Sequence, residues 1–154
     1  MGALHHSGPL YVGGTRAVQT ATVALTNAQI KALRATPKLL VAAQGADTVI
    51  EFLGAVLKLV AGTNVLTETA DNMVVRHTGT TGSIVSDTIE ATGFIDQAVN
   101  TQTTAVPIKD NILASSTTEN AGLYLHNTGD GEYAGNAALN ATMKVFITYR
   151  VITV

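Results

Sequence analysis

The sequence predicts an all-β domain: a β-sandwich or jelly roll with one short helix and an extended N-terminal arm. Three observations carry this expectation. Over Thr142–Val154, Met143, Val145, Ile147, Tyr149 and Val151 alternate with Lys144, Phe146, Thr148, Arg150 and Ile152. That is the period of two of a strand with one buried side. About eight short apolar or β-branched runs are separated by Gly, Asn and Pro turn signals, which suits a sandwich better than βαβ units. Only one stretch carries a helix signature. There is no repeat of fixed period and no heptad pattern.

The elements follow in order. Residues 1–14 read MGALHHSGPLYVGG. Their glycines and Pro9 exclude a helix and disfavour a central strand. Leu4, Leu10, Tyr11 and Val12 are nevertheless apolar, so the segment reads as an arm that docks on a neighbour, with Pro9 limiting continuous pairing. The alternative is a frayed terminus with incidental hydrophobes. The sandwich domain is then 15–154. Residues 16–25, RAVQTATVAL, suit a first strand. Thr26 precedes Gln29 by the capping-box spacing, and good helix formers follow, so a helix is expected over about 27–35. Thr36-Pro37 ends it.

Leu39–Val41 forms a short strand. Val49–Val60 forms a longer one, apolar on both sides, with Ile50, Phe52 and Val56 alternating with Val49, Leu53 and Leu57. Periodicity alone also allows a helix there; Gly54 and the β-branched residues favour the strand. Asn72–Thr78 and Ser83–Glu90 flank Gly79–Gly82 as a hairpin. Residues 92–111 read as loop. Leu123–His126 is a further strand, and Asn127–Asn140 a glycine-rich, Ω-like loop suited to contact with a neighbour.

Composition narrows the function. At 154 residues the chain fits one domain. Charged residues make up 13% of it, against roughly 25% in an average soluble domain. The hydrophobic fraction is 46% and the mean hydropathy +0.27. Such a surface is expected to be buried against other subunits; a monomer coated in Thr, Asn, Ser and Gln is the alternative. The net charge of −2 and the lack of a basic block argue against nucleic acid as a partner. Phe52–Ala61 is too short for a membrane span and contains Lys58. No secretion signal is expected. With no cysteine, disulfides, thiolate metal sites and a cysteine nucleophile are excluded.

The search for chemistry is mostly negative. Phosphate-loop, dinucleotide, H-E-x-x-H and G-x-S-x-G patterns are missing. His126, Asp130 and Glu132 form a conceivable metal trio, but lack a second histidine at ligand spacing; they read as solvated loop residues. An acid–base pair of Asp130 and Glu132 would need a cleft. His77 ends a strand. Asp71, Asp87 and Asp96 read as turn formers, and His5 and His6 as exposed. The expectation is a protein that is not an enzyme and has no metal or cofactor.

Four segments resemble a known family: LTNAQIKALRATPKLLVAA (25–43), VIEFLGAVLKL (49–59), LTETADNMVVRHT (66–78) and LYLHNTGDGEYAGNAALNATMKVFITYRV (123–151). They are similar to the head decoration, or capsid cement, proteins of tailed bacteriophages, over roughly residues 25–152. The resemblance implies a sandwich subunit, usually a homotrimer, bound to the major capsid protein on the outside of the expanded head. It also implies a virion protein assembled in the bacterial cytoplasm. The family supplies no motif from which site residues carry over. The arm lies outside the resemblance, and its candidate capsid contacts are Leu4, Pro9, Leu10, Tyr11 and Val12. A receptor- or carbohydrate-binding module of a phage tail or fibre is the alternative; 5% aromatic residues and no tryptophan argue against it. A cupin-like enzyme would need clustered histidines.

Overall fold

A computed structural model describes residues 11–12, 15–68, 71–109 and 112–154. Its elements are β1 (Tyr11–Val12), β2 (Thr15–Arg16), β3 (Gln19–Leu25), α1 (Asn27–Lys31), β4 (Lys38–Val41), β5 (Thr48–Val60), β6 (Leu66–Thr67), β7 (Met73–His77), β8 (Thr101–Ala105), α2 (Ser115–Thr118), β9 (Leu123–Asn127), β10 (Ala134–Gly135) and β11 (Thr142–Thr153). Strand accounts for 45% and helix for 7%, so the protein is all-β.

The main sheet is built on β11. β2 and β3 pair along one of its edges and β5 along the other, with β8 beyond β5, all antiparallel. A second sheet has the order β4-β9-β7, and β10 pairs with β6 in a third. One apolar cluster joins the two larger sheets: Leu57, Leu59, Met143, Val145 and Ile147 from the first, Leu40, Val75, Leu123 and Leu125 from the second. Burying such side chains contributes about 1.5–3 kcal/mol each before ordering costs.

β11 keeps the alternation read from its sequence, with Met143, Val145, Ile147, Tyr149 and Val151 all buried. β5 is also a strand, and its two-sided pattern has a local cause. Thr148 pairs with Gly54 but Tyr149 pairs with Phe52, so Leu53 is an extra residue in the ladder. Gly54 sits there at φ +149°, in a region where a side chain is strained. The bulge shifts the inward positions by one. Ile50 and Phe52 face the core before it; Ala55, Leu57 and Leu59 do so after it.

The capping box forms as expected, with Thr26 N–H donating to Gln29 Oε1 at 3.1 Å and Gln29 N–H to Thr26 Oγ1 at 3.4 Å. The helix is shorter than the expected 27–35 and ends at Lys31. Beyond it, the N–H groups of Arg34 and Ala35 donate to the Glu132 carboxylate at 3.1 and 2.8 Å instead of to helix carbonyls. Ile30 and Leu33 are both fully buried.

Three other expectations are corrected. Ser83–Glu90 is not a strand: it touches β7 through isolated bridges at Ile84 and Ile89. The Ser86 hydroxyl takes the Val75 N–H at 2.8 Å, in place of a backbone carbonyl. The supposed loop 92–111 contains β8, whose Thr-Gln-Thr-Thr-Ala sequence has high β-propensity but no apolar contrast. The short α2 is a second helix where only one was expected.

Candidate interaction surface

Of the arm residues singled out by sequence, Leu4, Pro9 and Leu10 lie outside the described residues. Tyr11 and Val12 form β1, which pairs with β2, while Thr15 of β2 pairs with Ile152 of β11.

The conceivable metal trio is dispersed into separate roles. Glu132 clamps the turn after α1. Asp130 is exposed. His126 Nδ1 lies 3.2 Å from Arg76 Nη1, as an acceptor facing a cation. Burial lowers the His126 pKa, and Arg76 beside it lowers it further; the Arg34 carbonyl and Glu132 oppose this. Among the described residues, no group of three His, Asp or Glu side chains is placed to hold a metal ion.

The loop after β9 is held internally. Asn127 Oδ1 accepts from Gly129 N–H at 2.7 Å, and Asn127 Nδ2 donates to the Gly131 carbonyl at 3.0 Å. Tyr133 donates its hydroxyl to the Asp71 carbonyl at 2.6 Å. A Cβ at Gly129 would fall 1.6 Å from Asp71 Oδ1, so glycine is required there. Asn136 Oδ1 accepts from Asn27 Nδ2 and Asn140 N–H, each at 2.8 Å. The Tyr133–Asp71 and Asn27–Asn136 contacts join residues far apart in the chain, and the sequence carries no signal for them beyond the density of Asn and Gly.

A cleft of about 360 Å³ opens where β8 leaves β5, lined by Val49, Phe52, Val85, Pro107 and Leu113. Its polar lining groups among the described residues are Glu51 and His77. Glu51 is engaged by Arg150. His77 is buried and its Nδ1 has no hydrogen-bond partner; burial lowers its pKa, against a smaller opposing effect of the Ala121 and Gly122 carbonyls. Among the described residues, no serine, threonine or cysteine lines this cleft.

The outward face of the main sheet runs across four strands. Across β3, β11, β5 and β8, one row reads Ala24, Lys144, Lys58, Gln102. The adjacent row reads Thr22, Phe146, Val56, Thr104. All eight side chains are exposed, with Phe146 at 41% and Val56 at 37%. No carboxylate stands in either row. Further along the same two long strands, Arg150 faces Glu51, with Arg150 Nε 2.5 Å from Glu51 Oε2.

The fold and this face define the class: an all-β sandwich with a charge-poor, partly apolar sheet surface carrying a lysine pair. No protein-family model matches the chain, and no curated protein matches it.

Proposed function

We propose that the protein is a structural virion subunit, a decoration or cement protein. It binds the outside of a tailed-phage capsid and stabilises the lattice of the major capsid protein. It acts as a homotrimer on the capsid exterior, is assembled in the bacterial host cytoplasm, and uses no cofactor. The observation that carries this reading is the composition of the exposed main-sheet face. It offers Thr, Ala, Gln, Val and Phe around two lysines, with no carboxylate in either row, where a free-standing monomer more often displays mixed charges. The resemblance of the four sequence segments to cement proteins points the same way.

The arm adds adhesion in this reading. Leu4, Leu10, Tyr11 and Val12 offer apolar side chains, and three arms on one trimer act together through effective concentration. The test is co-sedimentation of the purified protein with expanded heads that lack it. Saturable binding and a raised temperature of head disruption are expected. Removing residues 1–14 should leave the trimer intact and weaken binding. No binding by the full-length chain, together with a monomer at micromolar concentration in light scattering, would overturn the proposal.

A further inference from the structure

We infer that the outward face of the main sheet, centred on Lys58, Lys144, Val56 and Phe146, docks a protein surface that presents carboxylates beside an apolar side chain. This rests on the capsid-binding reading and names the face and the chemistry of its counterpart.

The argument starts from the lysine pair. Lys144 and Lys58 stand directly opposite each other on neighbouring strands. Residues so placed have Cβ atoms about 4.5–5.5 Å apart, and like charges there destabilise the sheet. Their neighbours in the row, Ala24 and Gln102, carry no charge to offset them. The carboxylate further along this face, Glu51, is held by Arg150. It lies from position 58 at roughly 3.3 Å per residue of strand, on the order of 20 Å away. The isolated subunit therefore keeps two exposed ammonium groups in an unfavourable arrangement that a carboxylate partner would reverse. Charge-assisted hydrogen bonds would form where repulsion stood before.

The adjacent row supplies the second half of the site. Phe146 and Val56 are opposite each other and exposed. They give an apolar patch next to the two cations. An apolar side chain flanked by Asp or Glu matches both rows at once, and electrostatic complementarity of this kind sets orientation and excludes wrong partners. Charge also argues against a second copy packing this face on itself. A two-fold contact would bring four ammonium groups together.

The experiment uses the full chain and expanded heads. Lys58→Glu should do two opposite things. It places Glu opposite Lys144 and so raises the thermal midpoint, while head affinity falls at least tenfold. Lys144→Gln should also weaken binding, with the trimer unchanged in light scattering. Wild-type binding should weaken as salt rises from 50 to 500 mM. Wild-type affinity in both variants would overturn the inference and leave the capsid reading standing. Failure of the wild-type chain to bind heads would overturn the capsid reading and this partner with it. Equal lysine- and salt-dependent binding to duplex DNA would instead assign the face to nucleic acid and overturn the inference.

Discussion

Arg150 and Lys144 lie on the same side of β11, and each faces a residue of β5, yet the two ends of this face differ. Arg150 meets Glu51 in an ion pair, whereas Lys144 meets Lys58. The first pair is complete within the subunit. The second is not, and its charges remain available to something outside. In a chain with 13% charged residues, the position of each cation weighs more than it would on an ordinary surface. A third arrangement occurs on the second sheet, where Arg76 meets His126 and the histidine's lowered pKa keeps it neutral. Arg150 is thus matched by an acid, Arg76 is spared by a neutral neighbour, and Lys144 is left open.

The contrast between the two ends depends on the bulge between them. Were Leu53 paired in a regular ladder instead of bulged, the outward parity of Val56 and Lys58 would continue to Ile50 and Phe52, and Glu51 would point into the core. Arg150 would then lose its carboxylate. The largest expected effect is therefore at Gly54. Gly54→Ala should cost about 1–3 kcal/mol in urea denaturation, from strain at positive φ. A Cβ there meets the Ala105 carbonyl oxygen at 3.4 Å, an ordinary contact, so strain rather than collision is the cause. An unchanged midpoint would show that the bulge can relocate.

Acid should turn the neutral neighbour into a like-charged one. His126 and His77 both have pKa values lowered from 6.5 by burial. The folded state then binds fewer protons than the unfolded state below that pH. Stability is fully present above about pH 6.5 and is lost as pH falls toward the lowered folded values. Thermal midpoints measured from pH 7.5 down to 5 should fall. In His126→Gln the fall should be shallower but not abolished, since His77 still contributes. A flat profile in the wild type would contradict the assignment of both rings as neutral.

How much of this was legible in the sequence follows from the range of each interaction. The two faces of β11 could be read because every second residue is apolar and no bulge interrupts it. The Thr26–Gln29 box could be read because its partners are three residues apart. β5 showed apolar residues on both sides because one face changes parity at Leu53, and a bulge leaves little trace beyond a glycine. β8 was hidden by threonines on both faces. The Glu132 clamp and the Lys58–Lys144 pair depend on the meeting of distant segments, which only the folded register reveals. In the sequence Lys58 reads only as an interruption in an apolar run. The arm's Leu4, Pro9 and Leu10 lie outside the described residues, so that part of the candidate site rests on sequence alone.

The smallest effects decide the comparison most directly. A double-mutant cycle at Glu51 and Arg150, each changed to Ala, should give a favourable coupling of about 0.2–1 kcal/mol, as for other half-exposed ion pairs. The same cycle at Lys58 and Lys144 should give a coupling of opposite sign and a few tenths of a kcal/mol, since exposed like charges are partly screened. Raising the salt should shrink both couplings toward zero. Two favourable couplings would mean that the lysine stems stabilise the sheet by packing, and the repulsion argument would fail. If the lysine coupling instead becomes favourable only when the protein is bound to heads, the partner supplies the negative charge that β5 gives Arg150 through Glu51. The two ends of the face would then differ only in where their acid resides.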